Sequence, residues 1–476
     1  MQVNGLFKSC MSTSFDKALQ KARNALLGEK DKLASSLYRQ LIKRYPQSVT
    51  VLIEGARALT RAGNVTAART ALEQARQLEP ELLEIQLHVA SGLFKLGDYA
   101  QAHRLLAELW SKSKQPEVGI ALVEVCERIG NIDEALTIIN TLPESHPRVL
   151  LLKGVLLRRN RNYSDAHDTL TSLTDFTQLD NNTRLRASLL MAQCLEKLGD
   201  YKAAWSTMSE AHLQSAPDAS IRKKLDQTYQ THIERARHSW SQTTEQHVST
   251  PQENSPMLVS GHPRSGTSVI ATHLADEHSC IHLDEIGAFA RSLDHARLSG
   301  KSPQRVESFG RKKFQDFYRE QMIAFVPTAE DSENWLDKNP GLERHANLWL
   351  SAFPDSQIKL IRRHPLDCLI SCLFTYLPLN PFSLQFTTTE RTAGSIVTSL
   401  EFQQKLLEHA PDSVEIIHYE QFLNDNLGKQ VAPQESMHSP NYGAAQEKVH
   451  AEGMNRYQHY LDFIPETIAE QLSDLS

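Results

Sequence analysis

A turn that returns about every 34 residues constrains this chain more than any other feature of its sequence. The unit is Gly followed by Asn or Asp, with alanine five residues after the glycine: Gly63-Asn64 to Ala68, Gly97-Asp98 to Ala102, Gly130-Asn131 to Ala135, and Gly199-Asp200 to Ala204. Two degenerate copies complete the series. One opens at Gly28 in Gly28-Glu29-Lys30-Asp31, and the other runs Arg161-Asn162-Tyr163 to Ala166 without its glycine. Successive spacings are 35, 34, 33, 31 and 38 residues, and Pro46 and Pro80 also stand 34 apart. Glycine ends one helix in a left-handed cap, and Asn or Asp starts the turn into the next. Alanine lets the two helices approach closely. Apolar residues such as Leu93, Leu96, Leu105, Leu106 and Leu109 recur at helical spacing. Each helix pair then buries one stripe against its neighbours, and no pair is stable alone.

A 34-residue period resembles that of tetratricopeptide repeats. An array over 14–215 is expected, with a concave face that holds a protein or peptide; a helical array of another repeat class would carry the same consequence. A long polar helix from Ser220 to Trp240 is expected to cap it, since terminal repeats need a polar outer face. Ser241 to Ser255 is polar and aperiodic and reads as a linker, so 216–255 joins the array to a further domain at 256–476.

Composition supports at least two folded domains, because 476 residues exceed what one core organises. A formal charge of −6 excludes generic nucleic-acid binding, which needs a basic excess, so any anion site must be local. The six cysteines have no zinc-ligand spacing; Cys368 and Cys372 would share a helix face as small buried hydrophobes in a reducing compartment. Neither a leader-like start nor a long apolar run appears, and the expectation is a cytoplasmic protein without a membrane span.

Beyond the linker, short apolar runs alternate with helical stretches. Met257–Ser260, Cys280–Leu283, Trp335–Leu336, Gln357–Ile361 and Val414–His418 are the strand candidates, predicting an α/β layer with a mainly parallel sheet. The first runs into Gly261-His262-Pro263-Arg264-Ser265-Gly266-Thr267-Ser268 and an apolar helix. Two glycines five apart with hydroxyls behind them frame a loop whose backbone N–H groups and helix N-terminus cradle an anion. Thr267 stands where a Walker loop needs lysine, and the strong cation, Arg264, lies inside the loop. A Mg-triphosphate fits this poorly. One terminal phosphate with an anionic neighbour fits well. Near Arg363, Pro365 is placed to open a helix with Ser371 two turns in, and an arginine at a strand's carboxyl end can fork onto a phosphate.

These motifs together resemble the sulfotransferase family, above all its bacterial repeat-fused and tyrosylprotein-type members. Pro-Arg-Ser-Gly-Thr-Ser looks like the 5′-phosphosulfate loop, which assigns donor binding to Arg264, Ser265, Gly266, Thr267 and Ser268. The run Ile358 to Ser371 resembles the 3′-phosphate segment, with Arg363 and Ser371 as the matching residues. Glu285, in Cys280-Ile281-His282-Leu283-Asp284-Glu285-Ile286, matches the glutamate that serves as general base, with Asp284 in place of the usual glycine and His282 as a weaker substitute. Lys338, in Asp337-Lys338-Asn339-Pro340, matches the lysine aimed at the bridging oxygen; such a fixed cation contributes ~3 kcal/mol to a transition state. His418-Tyr419-Glu420-Gln421-Phe422 resembles a structural turn. Gly453 and Arg456-Tyr457 stand where the family carries a Ser-x-x-Arg-Trp segment that closes over the donor.

The resemblance implies a sulfotransferase that uses 3′-phosphoadenosine 5′-phosphosulfate without a metal, with Glu285, Lys338 and Arg264 as catalytic residues. The acceptor hydroxyl, on a protein tyrosine, a glycan or a small molecule, stays open. Two other readings predict different behaviour: a repeat-based binding protein without turnover, and a P-loop kinase that would bind ATP with magnesium.

Overall fold

Each Gly-Asn or Gly-Asp turn separates two helices. The structure is a computed structural model and describes residues 3–174, 176, 178–243, 249, 251–252, 255–298, 304–330, 332, 334–429 and 451–475. Helices α1 (Val3–Leu27), α2 (Asp31–Arg44), α3 (Val49–Arg61), α4 (Val65–Leu78), α5 (Leu83–Lys95), α6 (Tyr99–Ser113) and α7 (Pro116–Ile129) come first. Then follow α8 (Ile132–Ile139), α9 (Pro147–Arg159), α10 (Tyr163–Thr174), α11 (Asn181–Lys197), α12 (Tyr201–Gln214) and α13 (Ala219–Ser241). Gly63, Gly97, Gly130 and Gly199 all have positive φ, between 75° and 86°. In the degenerate copies the left-handed position falls to Glu29 (φ 55°), one residue after Gly28, and to Arg161 (φ 60°). Ala68, Ala102, Ala135, Ala166 and Ala204 are each 0% exposed, which explains why the fifth residue after the turn must be small. Asp98 and Asp200 cap the following helices by accepting from the N–H groups of Gln101 and Ala203.

Packing divides the chain into two compact units, residues 1–138 with 323–327 and residues 139–322 with 328–476. In the first, Tyr38, Val51, Ala58 and Leu41 lie in a core shared by α1, α2 and α3. The second contains α9 to α13 together with the α/β part, so the unit boundary falls within the repeats rather than at the linker. Most of that linker, residues 244–248, 250 and 253–254, lies outside the described residues.

The α/β part is a parallel sheet of β1 (Met257–Gly261), β2 (Ile281–Asp284), β3 (Trp335–Lys338), β4 (Gln357–Arg362) and β5 (Val414–His418), in the order β2-β3-β1-β4-β5. The fold class read from the sequence is observed, with β1, β2 and β4 extending one residue and β3 two residues further at their carboxyl ends than expected. Five-residue β1 is buried throughout, the mark of a central parallel strand covered on both faces. The intervening helices are α14 (Thr267–Glu277), α15 (Ala288–Ala296), α16 (Gln304–Phe309), α17 (Arg311–Phe325), α18 (Ala346–Ala352), α19 (Pro365–Leu373), α20 (Thr389–His409), α21 (Tyr419–Asn426) and α22 (Glu466–Ser473). Strand order reverses on either side of β1, where β3 and β4 flank it, and open α/β sheets bind ligands at such a switch point.

Helices α11 and α12 belong to the α/β part by packing. Leu189, Ala204 and Met208 share one core with Leu366, Leu369 and Leu373 of α19, with Tyr460, and with Ile468 and Leu472 of α22. The polar helix α13 buries Tyr229, Ile233, Ala236 and Trp240 on its narrow apolar side. Its charges do not all face outward as a cap requires: Asp226 pairs with Arg391 at 2.6 Å and Arg237 with Glu401 at 2.7 Å, both on α20.

Candidate active site at the carboxyl edge of the sheet

The loop after β1 is held by close approaches that exclude side chains at its glycines. A Cβ on Gly261 would lie 2.5 Å from the Ile361 carbonyl oxygen, and one on Gly266 would lie 2.2 Å from the Tyr419 ring. Gly266 (φ 95°) is the N-cap of α14, so the N–H groups that follow it point out of the helix start at the loop. Arg264 itself is left-handed at φ 74°, a strained conformation for a residue with a long side chain. Ser265, Thr267 and Ser268 are all buried, and the Ser265 hydroxyl has no hydrogen-bond partner among the described residues. An orphaned hydroxyl beside a helix N-terminus fits an anion ligand.

Strand β4 delivers Arg363 to the same place. Its Nη1 donates to the Arg264 carbonyl at 2.9 Å, its Nη2 donates to the Gly453 carbonyl, and its guanidinium lies 4.8 Å over the Tyr419 ring. Its Nε has no partner among the described residues. Pro365 opens α19 as the sequence predicts, and Ser371, two turns on, accepts from Arg264 Nε at 3.1 Å. Arg264, Arg363 and Ser371 thus form one cluster. Burial lowers the Arg264 pKa to about 10, which leaves it cationic at neutral pH. Cys368 and Cys372 are buried beneath the loop, near the Arg264 and Pro263 carbonyls at 3.9 and 3.6 Å.

On the other side of β1, β2 and β3 run in a register that sets Asp284 opposite Lys338. The Lys338 ammonium, 0% exposed, lies 2.8 Å from Asp284 and bonds Glu285 directly. Asp284 and Glu285 are neighbours in the sequence, and Lys338 lies between their carboxylates. Burial pulls the ammonium pKa down, but the two carboxylates more than reverse this and leave it raised. Glu285 is left-handed at φ 55°, and its side chain is 33% exposed, so it faces solvent on one side and Lys338 on the other. His282 is buried with neither ring nitrogen hydrogen-bonded among the described residues, and burial lowers its pKa to about 4. Asp337 turns away from this group, accepting from Tyr318 at 2.8 Å, and burial raises its pKa to about 6.

Residues 256–430 match the model described as Sulfotransferase family, and residues 18–81 and 93–156 match models described as Tetratricopeptide repeat. Residues 256–430 resemble the Sulfotransferase family over a span that is less than half of the chain. The match supports sulfuryl transfer as its general chemistry. No curated protein sequence matches the chain. Among solved structures the chain is similar to the sulfotransferase STF1 of Mycobacterium tuberculosis H37Rv (13% identity, 65% of this chain and 92% of that one, TM-score 0.26). It is also similar to the sulfotransferase STF9 of Mycobacterium avium (14%, 64% and 88%, TM-score 0.23) and to pilF of Pseudomonas aeruginosa (17%, 42% and 90%, TM-score 0.35). These superpositions are too loose to bear on function.

Several residues that shape this edge are given no binding or catalytic role by the motifs. Tyr419, read as part of a structural turn, packs under Gly266 and Arg363 together. Glu420 accepts from the His364 N–H at 2.9 Å and fixes the start of α19. Asp367 accepts from the Asn455 and Tyr457 N–H groups at 2.8 and 3.0 Å, and so draws residues 453–457 onto Arg363. Arg456 does not face Arg363 but forks onto Glu196. The i, i+4 spacing of Arg363 and Asp367 is a sequence signal for that pair.

Proposed function

We propose that the α/β part uses 3′-phosphoadenosine 5′-phosphosulfate and transfers its sulfuryl group to an acceptor hydroxyl. The observation that carries this reading is the hydrogen bond from Arg363 to the Arg264 carbonyl, which joins the loop after β1 to the end of β4. Two anion-binding segments side by side suit a donor with phosphates at its 3′ and 5′ positions. The N–H groups around Gly266 and the hydroxyls of Ser265, Thr267 and Ser268 hold the 5′ end, and Arg363 with Ser371 holds the 3′-phosphate.

In the transfer, the acceptor oxygen forms a bond to sulfur while the bond from sulfur to the bridging phosphate oxygen breaks, and adenosine 3′,5′-bisphosphate leaves. Glu285 takes the acceptor proton. As it does so its hold on Lys338 weakens, and the ammonium is free to meet negative charge growing on the bridging oxygen. Base and cation are therefore coupled through the ion pair they form at rest. Arg264, kept cationic, neutralises the sulfonate and phosphate oxygens. The repeats recruit a protein or peptide, the common use of such arrays. Buried free thiols at Cys126, Cys194, Cys280, Cys368 and Cys372 suit the cytoplasm.

Isothermal calorimetry with adenosine 3′,5′-bisphosphate and with ATP tests the donor. Micromolar bisphosphate binding that is lost in Arg363→Ala is the expected result; tighter binding of ATP overturns the assignment.

A further inference from the structure

The carboxyl-terminal residues 451–464 contact both the repeats and the segment from Arg363 to Asp367. Gly453 gives its carbonyl to Arg363, and two and four residues later the Asn455 and Tyr457 amides are held by Asp367. On the far side, Arg456 makes a two-point bond to Glu196 at the end of α11, at 2.7 and 2.6 Å, with the Glu196 side chain only 9% exposed. Lys197 and Arg161 meet Glu452 on the same side. Beyond them, His459 stacks on Tyr201 of α12 at 4.0 Å, and Tyr460 and Phe463 lie on Trp205 at 5.7 and 5.8 Å.

We infer that Glu196, a residue of the repeats, is a positioning residue for the donor site: by anchoring Arg456 it fixes Gly453 against Arg363 and so sets the guanidinium that receives the 3′-phosphate. The reasoning is one of orientation. Arg363 has five N–H donors in a rigid plane, and its direction is decided by what holds the others. Tyr419 holds its face and the Arg264 carbonyl holds Nη1. Gly453 holds Nη2, and the segment bearing Gly453 is short and built of single turns, with no helix of its own to keep it in place. Its order comes from contacts at either end. Among these the Arg456–Glu196 fork is a largely buried ion pair, and removal of one member of such a pair strands the other charge.

This inference rests on the donor reading above, and the experiment separates the two. Bisphosphate is titrated by calorimetry into wild-type chain and into Glu196→Ala. Affinity in the variant is expected to fall roughly tenfold or more. In turnover the donor KM rises while kcat at saturating donor changes by less than about threefold, a split that general loss of structure would not give. Exchanging the pair, Glu196→Arg with Arg456→Glu, restores much of the affinity. Should Glu196→Ala not fold, Glu196→Gln keeps the shape and carries the same test. Wild-type affinity in the folded variant overturns the role of Glu196. A wild-type chain that binds no bisphosphate overturns the donor reading itself.

Discussion

Arg363 donates to the backbone carbonyl of Arg264 at 2.9 Å, so the guanidinium of one proposed donor-binding residue is fixed by the main chain of another. That carbonyl points where it does because Arg264 is in the left-handed region, and Arg264 then turns its own side chain to Ser371. The strain of the loop is thereby matched by bonds that only this conformation allows.

Replacing Arg363 by lysine tests the planar fork rather than the charge. Lysine keeps a cation but cannot donate to two carbonyls, cover the Tyr419 ring and reach a phosphate together. Bisphosphate affinity in Arg363→Lys is expected to fall by about 1.5–3 kcal/mol, or roughly ten- to a hundredfold, with thermal unfolding little changed. Calorimetry beside a melting curve reads both.

Glu285 and Lys338 should separate in their effects. Glu285→Gln removes the proposed base and is expected to lower kcat roughly 10²- to 10⁴-fold while bisphosphate binding holds. Lys338→Met takes the ammonium away from buried Asp284 as well, and is expected to destabilise the fold by about 3–5 kcal/mol besides lowering kcat. Adding Asp284→Asn to Lys338→Met should return stability but not turnover. Equal melting temperatures for the two single variants would contradict the geometry.

Two buried imidazoles set a pH dependence. Burial lowers the pKa of His262 and of His282 from the ordinary 6.5 to about 4. Each folded pKa lies below the unfolded one, so the unfolded chain binds more protons between these values. The stability this gives is complete above about pH 6.5 and is lost as pH falls through about 4, by about 3 kcal/mol for each. Asp337 acts in the opposite sense, since burial raises its pKa from 3.8 to about 6 and its contribution declines as pH rises over that span. Melting temperatures measured from pH 4 to 7 should fall toward acid, and His282→Leu should flatten the slope.

The helix pairs, the five strands and the loop after β1 were legible because each is written in local spacing. A glycine turn and a fixed alanine report the approach of neighbouring helices, and an apolar run bounded by turn residues reports a buried strand. Arg264, Arg363 and Ser371 could be named for the same reason, since strand ends and helix starts bring them to one edge. What the sequence hid depends on register and on distant partners. Lys338 sits between Asp284 and Glu285 only because β2 and β3 pair with Asp284 opposite Lys338, and nothing near either strand states that offset. Glu196 and Arg456 are 260 residues apart and meet only once both are folded. Tyr419 could not be separated from an ordinary turn residue, because its role comes from the space left by Gly266.

The shared core of α11, α12, α19 and the carboxyl terminus bears on how such a chain can be cut or recombined. Beginning the polypeptide at residue 256 would strip Leu189, Ala204 and Met208 from the flank of Leu366, Leu369 and Tyr460. An oily face would be left open to water. Gene fusions that exchange repeat arrays would therefore succeed upstream of α11 and fail at the polar junction that looks, on paper, like the natural seam.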